Sequence, residues 1–179
     1  MYRPVRDKWP VMDNILYFAY GSNLHPDWLC SRVIKAETVT TARLQGWRLY
    51  FHKQGTDDSA KCNIIKTGND DDRIHGVIYR IDQDKKPALD RAESGYRSEY
   101  LNIAGFDNVL VYLAERDMVN DLLLPYTWYH DIVLAGAQHH QLPDEYIAFI
   151  ASFNSARDTD KERDKRYRSV VFHNQSVQV

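Results

Sequence analysis

Apolar positions along this chain fall into short runs whose spacing changes from strand-like to helical and back. Ile15 to Tyr20 is an apolar and aromatic run stopped by Gly21-Ser22-Asn23, the form of a buried strand that ends in a tight turn. Pro26 and Asp27 then suit a first helical turn, and Trp28, Leu29, Arg32 and Val33 follow at helical spacing. The middle of the chain is strand-rich over 43–52, 60–66, 74–81, 100–104 and 109–114, with turn-like clusters at 54–59 and 68–72 between them. With the first run, these strands predict a mostly antiparallel sheet or small barrel. Residues 83–93 read as a short helix that ends before Gly95, with Pro87 as an irregularity. From Tyr126 the pattern is helical through His139. Pro143 then opens a second helix, whose apolar stripe is Tyr146, Ile147, Phe149, Ile150 and Phe153.

The ends read differently. Residues 1–13 mix charge with Pro4 and Pro10 and show no periodicity, which predicts an N-terminal arm ahead of a single domain over 14–156. Residues 157–168 carry ten charges in twelve positions, six basic and four acidic, and open a charged extension over 157–179. That run reads as a solvated helix face or a loose tail, after which Val170, Val171 and Phe172 either dock as a last short strand or stay disordered.

Composition narrows the class. With 44% hydrophobic residues and 27% charged in 179 residues, the chain is an ordinary globular domain able to build a core without staples. A net charge of −2 gives no positive field for a nucleic-acid backbone or an anionic membrane, so neither is expected as a partner. Cys30 and Cys62 are too few for a disulfide framework and read as reduced, buried thiols. No signal-peptide or membrane-length apolar segment is legible, and the expected location is the cytoplasm.

The usual motifs of phosphate loops, dinucleotide folds, zincins and serine-hydrolase elbows are absent. His130, His139 and His140 lack further ligands at metal-binding spacing, so no metal site is expected. The informative segment is Tyr17-Phe18-Ala19-Tyr20-Gly21-Ser22-Asn23-Leu24. A glycine turn between a strand and a helix aims backbone N–H groups into one hollow, which suits a carboxylate or a developing oxyanion. The plainer alternative is a tight turn in which Ser22 or Asn23 only caps the helix.

This segment, followed by a helix bearing Arg32, resembles the signature of the gamma-glutamylcyclotransferase (AIG2-like) family. Gly46-Trp47 with Leu49 and Phe51, then Ala60, Asn63-Ile64 and His75-Gly76-Val77-Ile78-Tyr79, look like that family's successive strands. Leu89-Asp90-Arg91-Ala92-Glu93 resembles its Leu-Asp-x-x-Glu element. Tyr100, Tyr129, Ala135-Gly136-Ala137 and Gln141 to Tyr146 are similar to its later landmarks, so the likeness runs over roughly residues 15–153.

The resemblance implies an α+β fold, a small mixed, mostly antiparallel β barrel with flanking helices. It also implies an enzyme without a cofactor, acting on a small-molecule γ-glutamyl substrate. In that reaction the substrate's own α-amine attacks its γ-carbonyl, closing 5-oxoproline and expelling an amine. Carried over residue by residue, Glu93 becomes the general base and acid, and Tyr20, Gly21, Ser22, Asn23, Leu24, Tyr100 and Tyr129 line the substrate site. Arg32 either meets a substrate carboxylate or pairs structurally, and each tyrosine either touches substrate or fills the core. Without the resemblance, Glu93 reads first as a solvent-facing residue at a helix end, and the family match reverses that reading. Ser94 stands where the family more usually has glycine, so the loop after the carboxylate differs. The leaving group is not legible, and a homodimer is left open. The rival reading is a module that binds or senses a γ-glutamyl metabolite without turnover.

Overall fold

The computed structural model describes residues 14–33 and 35–172, so the arm expected over 1–13 lies outside the described residues. The first strand, β1 (Asn14–Ala19), becomes the middle of a sheet because its apolar run leaves both faces to be covered, and Phe18 and Ala19 are fully buried. It pairs antiparallel with β5 (Arg73–Asp82) on one side and parallel with β7 (Phe106–Ala114) on the other. The full order is β2-β5-β1-β7-β6, with β2 (Glu37–Gln45) and β6 (Tyr96–Ile103) as edges.

A separate hairpin, β3 (Trp47–Gln54) and β4 (Ala60–Lys66), packs on β5 and β7. The expected barrel is therefore not closed: the strands form a five-stranded sheet and a two-stranded sheet. Where hairpin and sheet meet, a side chain replaces the missing ladder, since Asn63 Oδ1 accepts the Ala114 N–H at 2.9 Å. The α+β class and the mostly antiparallel pairing hold, with helices α1 (Pro26–Arg32), α2 (Lys86–Ala92), α3 (Thr127–His139), α4 (Asp144–Ala151) and α5 (Lys161–Phe172) around the strands.

The departures from the sequence pattern have local causes. The strand expected over 43–52 is broken by Gly46, whose φ of +78° turns the chain from β2 into β3. Pro87 lies in the first turn of α2, where its missing N–H removes no helical bond. The charged segment is neither a loose tail nor a strand. It forms α5, whose Tyr167 ring packs on Trp28 at 5.3 Å and Trp128 at 4.5 Å, with Val170, Val171 and Phe172 on the same core. Its charges find partners: Arg163 holds the buried Asp158 just ahead of the helix through two nitrogens at 2.7 and 2.6 Å, and Arg168 meets the distant Asp131 at 2.6 Å. Among the described residues no helix is long and apolar enough to cross a membrane.

Candidate active site

The turn after β1 is short. Ser22, Asn23 and Leu24 form one 3₁₀ turn and are buried. Its internal bonds engage the Leu24 N–H with the Gly21 carbonyl at 2.9 Å and the His25 N–H with the Ser22 carbonyl at 3.1 Å. The donors such a turn leaves to other acceptors are its earlier amides, those of Gly21, Ser22 and Asn23, and Leu24 contributes its side chain to the core instead. Gly21 has a negative φ of −113°, so its need for glycine is spatial: a Cβ there would stand 2.9 Å from Cys62 Cβ and 3.5 Å from the Tyr129 hydroxyl. Cys62 is buried, its thiol pushed up to about 12 by burial, whereas Cys30, also expected to be buried, is exposed.

Glu93 stands at the C-terminal end of α2, where its N–H closes the helix on the Leu89 carbonyl at 2.9 Å. The carboxyl turns inward. Its Oε1 accepts Asn23 Nδ2 at 2.7 Å, and the same amide nitrogen donates to the Tyr17 hydroxyl at 2.9 Å. Asn23 thus reaches the carboxyl with its side chain. Burial raises the Glu93 pKa above the ordinary carboxylate range, and Arg32, the Asn23 hydrogen bond and Lys53 pull the other way without cancelling it. Arg32 is engaged by protein, donating to the Ala92 carbonyl at 2.8 Å and to Asn23 Oδ1 at 3.4 Å.

A narrow recess lies between the turn and Glu93, walled by Tyr17, Tyr20, Cys62, Tyr96, Tyr112 and Tyr129. The tyrosines are tethered: Tyr20 donates to the Tyr112 carbonyl, Tyr96 donates to the Cys62 carbonyl at 2.6 Å, and the Tyr129 hydroxyl accepts the Cys62 N–H at 3.1 Å. Burial lifts all three hydroxyls well above the usual phenol value, so they stay protonated. The recess shares Ser22, Glu93, Tyr96 and Tyr129 with a larger cleft of about 430 Å³. That cleft is bounded by Lys53 and Lys61 from the hairpin, by Trp28 and Trp128, and by Arg163, Arg166 and Tyr167 of α5.

The fold thus brings the consecutive Tyr20, Gly21, Ser22 and Asn23 together with Glu93 and Tyr129, which lie far from them in the chain. Tyr100 does not join them. It is 50% exposed on edge strand β6, while Leu101 and Ile103 take the core-facing positions. The tyrosine that β6 supplies to the recess is Tyr96, four residues nearer to Glu93. Sequence reasoning also missed Lys53, Lys61 and the α5 residues. Their signal was weak, because each charge sits in a stretch that reads as solvent-facing. Two of the histidines weighed for a metal site are engaged with carbonyls, His140 Nε2 lying 2.9 Å from that of Leu24 and His130 Nε2 2.8 Å from that of Ile150, and the His139 ring packs on His140 at 4.8 Å. Among the described residues no group of three or more His, Cys, Asp or Glu could hold a metal ion.

Chemically, a buried carboxyl with raised proton affinity faces a turn carrying backbone donors, across a space large enough for a small molecule. Such a pair can move a proton and steady a developing oxyanion in one place. Comparison with known proteins gives the family. A family described as gamma-glutamyl cyclotransferase, AIG2-like, matches residues 17–131. The chain is similar to a gamma-glutamylcyclotransferase of Bos taurus, 27% identical over 142 residues, covering 75% of this chain and 76% of that one. It is also similar to the Homo sapiens protein of that name, 28% identical over 145 residues, covering 76% and 77%. A solved structure called gamma-glutamyl cyclotransferase superposes with a TM-score of 0.76 at 24% identity, over 88% of this chain and 99% of that chain, a likeness of fold.

Proposed function

Since this chain belongs to the gamma-glutamyl cyclotransferase, AIG2-like family, we propose that it releases 5-oxoproline from a small γ-glutamyl amino acid or γ-glutamyl amine. The α-nitrogen of the γ-glutamyl group attacks its own γ-carbonyl carbon, a C–N bond forms to close the five-membered ring, and the C–N bond to the departing amine breaks. No water is consumed. Glu93 takes a proton from the attacking nitrogen and returns one to the leaving nitrogen, and the Gly21 to Asn23 amides take the negative charge that builds on the carbonyl oxygen. The raised proton affinity of Glu93 fits both halves of that task, since an ordinary carboxylate near 4.3 would return a proton poorly at neutral pH. The hydrophobic and tyrosine walls exclude water and fold the γ-glutamyl chain toward itself. Positioning of this kind is worth on the order of 7–11 kcal/mol in favourable intramolecular reactions.

The observation that carries this reading is the Glu93 carboxyl tied by Asn23 to the turn after β1, in one recess. The test is a panel of γ-glutamyl compounds with amino-acid and simple-amine leaving groups, assayed in parallel for 5-oxoproline and for binding by calorimetry. Ring product from at least one class is the expected result. Saturable binding across the panel with no ring product would replace the enzyme with a binding module.

A further inference from the structure

Lys53 is 4% exposed, an unusual place for an ammonium. Its Nζ donates to the Ser94 carbonyl at 2.8 Å and lies 4.9 Å from the centre of the Tyr96 ring. An ammonium has three donors, and burying it against a neutral acceptor and a ring costs free energy unless negative charge stands close by. The residue before Ser94 is Glu93, and its carboxyl favours the charged form of Lys53, as does Asp57, while burial opposes it.

Two backbone features put Lys53 there. The register of β3 against β4 slips between Phe51 and Lys53, which sets Lys53 opposite Lys61 and brings both onto the wall of the cleft. Gly95 has a φ of +80°, and a Cβ on it would stand 2.8 Å from Lys53 Nζ. The glycine one place later than the family usually has it is therefore what lets the ammonium reach the Ser94 carbonyl.

We propose that Lys53 is a positioning residue for Glu93: its ammonium fastens the turn that follows the carboxylate, and its charge adds to that of Arg32 around the same group. This rests on the reading of Glu93 as the base. The other groups facing that carboxyl are Arg32 from α1, Asn23 from the turn and Tyr17 from β1. Around them stand Tyr20, Cys62 from β4, Tyr96 from β6, Tyr112 from β7 and Tyr129 from α3. Arg32 divides its guanidinium between the Ala92 carbonyl and Asn23, which leaves Lys53 as the cation attached to the Glu93–Gly95 turn itself.

The test is the Glu93 titration, followed by ¹³C-carboxyl NMR on the full chain, with E93Q fixing the assignment. Removing the charge while keeping a donor, Lys53→Gln, shifts the Glu93 midpoint upward, because a positive charge that favours the carboxylate is lost. The acid limb of kcat/KM for 5-oxoproline release moves by the same amount, and Lys53→Arg returns both toward the original. Lys53→Met, which also loses the clamp, lowers kcat further than Lys53→Gln at a pH where Glu93 is ionised in both. An unmoved midpoint in folded Lys53→Gln overturns the proposal, and so does an equal shift in Lys53→Arg. If no γ-glutamyl compound is turned over, the functional reading fails while the midpoints still decide the role of Lys53.

Discussion

Glu93→Gln separates the chemistry of this site from its cost. The substitution keeps the shape of the side chain and an oxygen for Asn23 Nδ2 to donate to, and removes only the ionisable group. Loss of a general acid–base costs about 10²–10⁴ in rate, or about 2.7–5.4 kcal/mol of transition-state stabilisation, so 5-oxoproline release falls by that factor. Stability moves in the opposite direction. The folded pKa of Glu93 lies above the unfolded value of about 4.3, because burial disfavours the carboxylate more than Arg32, Asn23 and Lys53 support it. Between those two values the folded chain binds more protons than the unfolded chain, so wild-type stability declines as pH climbs through that window and stays reduced above it. Each unit of separation is worth about 1.4 kcal/mol. The E93Q chain has no such dependence. Its stability advantage is therefore small near pH 4, grows through the window, and levels off once Glu93 is fully ionised. Turnover by product release and urea unfolding at matched pH values measure the two effects. Wild-type turnover by E93Q, or a stability difference flat across the range, would refute the account of a buried carboxyl held ready for proton transfer.

Gly21→Ala places a methyl group 2.9 Å from Cys62 Cβ and is expected to cost about 1–3 kcal/mol by urea unfolding; a neutral effect would show that the turn has slack. Its bulkier relative Gly21→Val loses stability and turnover together, a different outcome from the ligand-only effect that a turn open to the cleft would give. Arg163→Ala removes two charge-assisted bonds from the buried Asp158 and lowers stability by roughly 1.5–3 kcal/mol at neutral pH. Those contacts hold Asp158 at about 2, so their contribution is complete above the unfolded carboxylate value near 3.9 and is lost as pH falls toward the folded one. Acid melts of the two proteins should converge accordingly, and parallel melts would show that the pair is not what ties α5 down.

The chain announces some of this architecture and hides the rest. The run Ile15 to Tyr20 and the stop at Gly21 are legible because a strand buried on both faces must be continuously apolar and a tight turn must follow it. Glu93 is different: at a helix end its pattern is that of a solvated carboxylate, and only the resemblance over Leu89 to Glu93 singled it out. Lys53 could not be read, because the bulge that aims it into the cleft depends on its pairing with Lys61 across the hairpin. Arg168 of α5 looked soluble for the same reason, since its partner Asp131 becomes a neighbour only on folding. Tyr100 came from the family resemblance, but Tyr96 shares its face of β6 and stands nearer Glu93, and position along the strand decides that Tyr96 is the one that reaches the recess.

The central place of β1 has a consequence for how the molecule comes into being. It leaves the ribosome first among the described strands, yet its two neighbours in the sheet, β5 and β7, begin only at Arg73 and Phe106. At synthesis rates of about 5–20 residues per second, the stretch from Ala19 to Ala114 takes roughly 5–20 s to appear. Until β5 is made, this apolar strand, followed directly by the turn that binds Glu93 through Asn23, has both edges open, and until β7 is made it has one. The nascent chain is thus most prone to aggregate early and gains its recess late, so a slower ribosome or a scarce chaperone would reduce the yield of active protein before it touched any contact in the finished site.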